Sequence, residues 1–132
     1  MSDAPHRRIA WARRRHFERL VEKALDGLPP QVAAMLDNVE VVVEDEPSAH
    51  HLTMWEDGAE TLFGLYEGIP QTERDSTYGM VLPDKITIFR GPLERAFRSP
   101  QAIAREVRIT VVHELGHHFG LDEERLAELG LD

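Results

Sequence analysis

His113-Glu114-Leu115-Gly116-His117-His118-Phe119-Gly120 is the stretch on which the fold of this chain turns. Its first five residues have HExxH spacing. Four residues of α-helix rotate through about 400° and rise about 6 Å, so His113 and His117 project from one face, a turn apart. Two imidazole nitrogens so placed can meet one zinc ion at about 2.0–2.1 Å each. Glu114 is rotated about 100° from His113 and falls beside such an ion, where a general base for a metal-bound water belongs. The pattern needs a helix, and the preceding residues supply one. Ser99 is a good N-cap and Pro100 suits the first helical position. Ile103, Val107, Val111 and Leu115 then offer a core face opposite the histidines. The stretch reads as the active-site helix of a zinc metallohydrolase, running from Pro100 to about Phe119.

Upstream, Phe17, Leu20, Val21, Ala24 and Leu25 recur at helical spacing and predict a helix from about Trp11 to Asp26, stopped by Gly27 and Pro29-Pro30. Gln31 to Leu36 reads as a short second helix. Val39 to Glu44 is rich in β-branched residues and reads as a strand. Residues 46 to 60 are polar and read as irregular, with His50 and His51 an ordinary loop pair rather than a second metal site, since neighbouring side chains in strand or loop diverge. Thr61 to Tyr66 is a strand candidate in which Gly64 allows close backbone approach or a bulge. The connection from Glu67 to Pro83 is long enough to be functional. Asp84 to Arg90 is the clearest strand, Ile86 and Ile88 alternating with Lys85, Thr87 and Phe89, and Gly91-Pro92 ends it. Few strands, several helices and no βαβ alternation predict an α+β domain.

With 132 residues, 42% hydrophobic and 30% charged, the chain fits one domain, 17–132, preceded by a basic arm or helix start at 1–16. No apolar run approaches the roughly 20 residues that span a membrane, and the start lacks the apolar segment of a secretory signal. Cysteine is absent, so any metal must be held by histidine and carboxylate, and a cytoplasmic location is expected. The net charge of −9 argues against nucleic-acid binding by the body of the protein. Arg7, Arg8, Arg13, Arg14 and Arg15 gather at the start without an aromatic stacking platform, which favours a solvated terminus over a nucleic-acid arm.

A catalytic zinc site usually takes a third protein ligand and keeps one position open. On an unbroken helix Glu123 would point away from the ion, but a glycine just past the helix end can take the left-handed conformation that reverses the chain. Gly120 stands there, and Asp122, Glu123 and Glu124 are the candidates that follow. The run from His113 to Glu123 fits the zincin pattern HExxHxxGxx(His/Asp). Together with Leu62–Pro70 and Leu82–Glu94, residues 112–130 resemble the bacterial minimal metallopeptidase-like (mini-zincin) family, a likeness covering roughly residues 17 to 130. The resemblance implies a compact zincin-like α+β fold, with a small mixed sheet packed on the active-site helix and its edge strand above a cleft. It also implies one Zn²⁺ per chain, held by His113, His117 and Glu123, with Glu114 as base. The family usually has aspartate where this chain has Glu123, so Asp122 stays an alternative third ligand. No methionine follows Met80, so the methionine turn of the larger metzincins is missing.

The expected activity is hydrolysis of peptide or protein substrates by a metal-bound water that Glu114 activates. The backbone of Asp84 to Arg90 would hold an extended peptide by strand addition, with Phe89 and the 67–83 loop lining the cleft. His118 is expected to pack or hydrogen-bond nearby. Tyr66, Tyr78 and Arg74 are expected to pack or face solvent, with oxyanion stabilisation as their functional alternative. The rival to the enzyme is a metal-stabilised binding or scaffold protein with little turnover. Retention of Glu114 favours the enzyme, because a structural zinc site needs no base. Oligomeric state is not encoded in any motif.

Overall fold

In the computed structural model, residues 3–53, 62–68 and 83–128 are described, with the backbone alone for 3–11 and 123. Among these residues the chain order is α1 (Asp3–Asp26), α2 (Pro30–Met35), β1 (Val39–Glu44), α3 (Ala49–Thr53), β2 (Gly64–Glu67), β3 (Asp84–Phe89), α4 (Arg90–Ala96), α5 (Pro100–His118) and α6 (Glu123–Glu128). The strands form one mixed sheet in the order β1-β3-β2. β1 runs parallel to β3 with Val41 opposite Ile86, and β2 runs antiparallel to it with Leu65 opposite Thr87. The chain is an α+β fold, as its pattern of elements predicts.

Alternation along β3 divides its side chains between two faces. Ile86 and Ile88 join the main core with Phe17, Val21 and Ala24 of α1, Val32 of α2, and Ile103, Val107, Val111 and Leu115 of α5. Phe89 turns the other way and packs with Leu62 and Leu65 in a second, smaller cluster. Burying one such aliphatic side chain stabilises by about 1.5–3 kcal/mol, so the sheet face against α1 and α5 carries most of the fold.

Three elements differ from the sequence reading. α1 starts at Asp3 rather than near Trp11. Pro5 does not prevent this, because first-turn residues make no intrahelical N–H bond. Arg14 of α1 donates to the Val43 carbonyl at 2.5 Å and to Glu18, so one arginine of the basic stretch ties α1 to β1. Gly91-Pro92 does not simply end β3; it opens α4, with proline in the first turn and Leu93 fully buried. The Gly91 N–H donates to Asp45 O at 2.7 Å, and an added Cβ there would run into Asp45 O and the Glu46 carboxylate. Residues 49–53, read as irregular, form one helical turn. Ser48 Oγ accepts the His51 N–H at 3.2 Å while the Ser48 N–H donates to His51 Nδ1 at 3.0 Å. That is a reciprocal capping box with histidine in the usual Glu/Gln position. No described helix is long and apolar enough to cross a membrane.

Candidate metal centre

Helix α5 does several jobs through stripes spaced four residues apart. Ile103, Val107, Val111 and Leu115 are buried in the main core. Val112 and Gly116 lie toward the C-terminal segment, where Leu126 of α6 comes within 3.2 Å of a Cβ placed on Gly116. Thr110, Glu114 and His118 face β2. Arg105, Ile109, His113 and His117 are all exposed. The two histidines of the motif therefore stand side by side on the open face of one helix, as their spacing requires. Among the described residues neither imidazole is engaged in a hydrogen bond or ion pair.

Glu114 lies on the stripe under β2, and the edge strand itself holds it. The Tyr66 backbone N–H donates to Glu114 Oε1 at 2.9 Å. In the antiparallel register Phe89 N–H bonds Phe63 O at 2.8 Å, so Leu65 pairs inward with β3 and the Tyr66 N–H points outward from the sheet. Such contact between strand and helix needs the strand close by. Gly64 provides the room: a Cβ there would stand 2.7 Å from Thr110 Cγ2 and 3.1 Å from Thr87 O. The close approach read from Gly64 in the sequence is the one found, with no bulge in the ladder.

The C-terminal end of α5 is closed by a Schellman motif. Gly120 has φ +71°, the Leu121 N–H bonds Gly116 O at 2.7 Å, and the Gly120 N–H bonds His117 O at 3.3 Å. The chain reverses there, as the glycine predicts, and α6 packs back against Gly116. Asp122 caps α6, its Oδ1 accepting the Arg125 N–H at 2.8 Å. Glu123 is the first residue of α6, and its side chain lies outside the described residues.

Around this centre His118 packs as expected. Its ring stacks on Tyr66 at 3.9 Å and 19°, with Nε2 3.9 Å from Asp84 Oδ2. The Tyr66 hydroxyl donates to the same Asp84 oxygen at 2.6 Å. Sequence reasoning missed Asp84 and the backbone role of Tyr66; Gly64 was the one signal pointing to them. Tyr78 and Arg74 lie outside the described residues, as does the 69–82 part of the long connection.

Two expectations about substrate are corrected. β3 is the central strand, bonded to β1 on one side and β2 on the other, so it has no edge to which a peptide could add. Phe89 is fully buried, edge-on to His51 at 5.0 Å, and lines no cleft. His50 and His51 sit on α3 beside Glu67, at 3.7 and 3.4 Å. Because His51 Nδ1 accepts from Ser48, its ring proton is on Nε2, toward Glu67 Oε1. No set of three His, Asp or Glu side chains among the described residues forms a metal site, here or at α5.

The description of a zincin-like metallopeptidase matches residues 36–131, well over half of the chain. The chain belongs to the zincin-like metallopeptidase family. No curated protein matches it. The family implies zinc, and the donor set at α5 fits that ion. Two solvent-facing imidazoles a turn apart supply the nitrogen ligands, a carboxylate stands beside them, and the turn at Gly120 brings an acidic segment back along the helix.

Proposed function

We propose that this protein is a zinc-dependent peptidase in which His113, His117 and Glu123 hold the metal and Glu114 is the general base. The observation that carries the reading is the bond from the Tyr66 N–H to Glu114 Oε1. It fixes a carboxylate beside the exposed histidine pair, whereas a structural metal site has no use for an oriented base. When bound, the zinc supplies Lewis acidity toward a water and toward the scissile carbonyl. Glu114 takes the proton of the attacking water and delivers it to the leaving amine nitrogen. Because a backbone donor holds one oxygen, the carboxylate needs little reorientation between these two transfers. β2 is the edge strand against α5 among the described residues, so an extended peptide would lie along it rather than along β3. Asp122 already caps α6 through Oδ1, which favours Glu123 as third ligand over Asp122.

The test combines metal content and turnover. Freshly prepared protein is expected to carry about one zinc per chain. That zinc should be lost in His113→Ala, weakened in Glu123→Ala and kept in Asp122→Ala. Glu114→Gln should keep the zinc and lose hydrolysis of a mixed peptide library by roughly 10²–10⁴-fold, the usual contribution of a general base. Zinc-loaded wild type and Glu114→Gln binding the same partners, with neither cleaving any peptide, would establish a metal-stabilised scaffold instead. Failure to take up zinc at all would remove both readings.

A further inference from the structure

Strand β2 has four residues and, among the described residues, one neighbouring strand. Its ladder bonds to β3 run through Leu65, so they do not hold the Tyr66 N–H, which turns the other way to Glu114. A second tether acts on the Tyr66 side chain. Tyr66 lies opposite Ile86, which puts Asp84, two residues earlier on β3, on the same face of the sheet and diagonally across from it. The Tyr66 hydroxyl donates to Asp84 Oδ2 at 2.6 Å, and the Tyr66 ring stacks on His118 of α5 at 3.9 Å. His118 is one turn beyond Glu114 on the stripe that faces β2, with its Nε2 3.9 Å from that same Asp84 oxygen. The chain passes close to this contact at Gly68, where an added Cβ would stand 3.5 Å from His118 Cε1 and 3.9 Å from Asp84 Oδ1. One carboxylate thus ties the tip of the Tyr66 ring to the start of β3, and the backbone of the same tyrosine carries the donor that holds the candidate base.

We propose that Asp84 is a positioning residue for hydrolysis: by holding the Tyr66 hydroxyl it fixes β2 so that the Tyr66 N–H stays on Glu114 Oε1. The inference rests on the peptidase reading and adds to it a residue that acts through another. Misplacing a reacting group by about 1 Å can cost about 10²-fold in rate, and a short strand paired on one side is where a further anchor has most effect. The chemistry of the link separates its parts. Asp84→Asn keeps an oxygen that accepts the Tyr66 O–H, Asp84→Ala removes the acceptor, and Tyr66→Phe removes the donor.

Amide exchange and turnover test the link separately, both on the zinc-loaded chain. In isotope-labelled protein followed by NMR, the Tyr66 amide proton should move upfield and exchange about tenfold faster in Asp84→Ala and Tyr66→Phe, in the same direction as in Glu114→Ala. Asp84→Asn should leave its exchange within about twofold of wild type. On the peptide cleaved fastest in the mixed library, Asp84→Ala and Tyr66→Phe should lower kcat by about tenfold to a hundredfold with KM and zinc content unchanged. Asp84→Asn should recover most of that rate. Tyr66→Phe/Asp84→Ala should lose no more than either single variant, because both cut one link. If Asp84→Ala does not fold, Tyr66→Phe, which removes a single oxygen atom, carries the same test. A Tyr66 amide that ignores these changes, an unaltered kcat, or a loss that Asp84→Asn does not recover overturns the inference and leaves the peptidase reading standing. No cleavage of any peptide by zinc-loaded wild type overturns the peptidase reading and, with it, a part for Asp84 in hydrolysis.

Discussion

Glu114 and Gly120 show how single residues are fixed by requirements of different kinds. The glutamate is held by chemistry, a backbone donor set against one of its oxygens. The glycine is held by conformation, since its φ of +71° is the left-handed region and no atom of the described residues beyond its chain neighbours would lie within 4 Å of an added Cβ. Gly120→Ala is therefore expected to destabilise the fold by about 1–2 kcal/mol without any steric clash, and Gly120→Asn by less. Chemical denaturation of the two variants measures this. Zinc affinity measured on the same samples should fall as well, because the turn sets the path of the segment carrying Glu123. A Gly120→Ala protein with full stability would show that the reversal does not depend on the left-handed residue.

Among the elements, the contact between β2 and α5 positions the candidate base, and Gly64 makes it possible. Gly64→Ala would push a methyl group onto Thr110 Cγ2 and the Thr87 carbonyl. The expected cost is about 1–3 kcal/mol, typical of overpacking, with partial recovery in Gly64→Ala/Thr110→Ser, which removes the methyl of Thr110. Equal loss in the single and double variants would place the conflict at the Thr87 backbone instead. At the other end of α5, Asp122 serves α6. Asp122→Ala should cost about 0.5–2 kcal/mol, and Asp122→Asn much less, because asparagine caps equally well. Parallel zinc titrations separate that structural role from ligation, which Asn would not restore.

Across the whole molecule, the segment after β1 is tied to α4 by exposed ion pairs. Arg95 Nη1 and Nη2 bond the two Glu46 oxygens at 2.5 and 3.0 Å, and Arg90 bonds Asp45 and Glu94. The hydrogen bond from Arg95 holds the Glu46 carboxyl below its ordinary 4.5, and the bond to Asp45 raises Arg90. A depressed carboxyl contributes stability above its unfolded pKa and loses it as pH falls through the folded value. The stability difference between wild type and Glu46→Gln should therefore be present at neutral pH and disappear on the acid side of 4.5. It should also shrink in high salt, since the pair is exposed to solvent. Denaturation midpoints measured from pH 7 to pH 3 check both trends.

Much of this architecture is legible in the chain because it depends on local periodicity. The i, i+4 spacing of His113 and His117, the core stripe from Ile103 to Leu115, the Ser99-Pro100 start and the Gly120 stop are all properties of one helix. The β-branched run of β1 and the alternation of β3 are equally local. α4 and α3 were hidden because Gly91-Pro92 suits a strand end and a helix start alike, and because a histidine replaces the expected Glu or Gln in the Ser48 capping box. What lay beyond local pattern was adjacency. Only the folded sheet makes β3 the central strand, buries Phe89 and puts β2 at the edge against α5. Only there do Tyr66, Glu114, Asp84 and His118, separated by up to 52 positions in the chain, come within bonding distance. The sequence by itself determined a helix with two histidines on one face and a glutamate beside them. The tertiary structure decided which backbone holds its carboxylate, because strand order and register are set by burial of both sheet faces rather than by any single stretch.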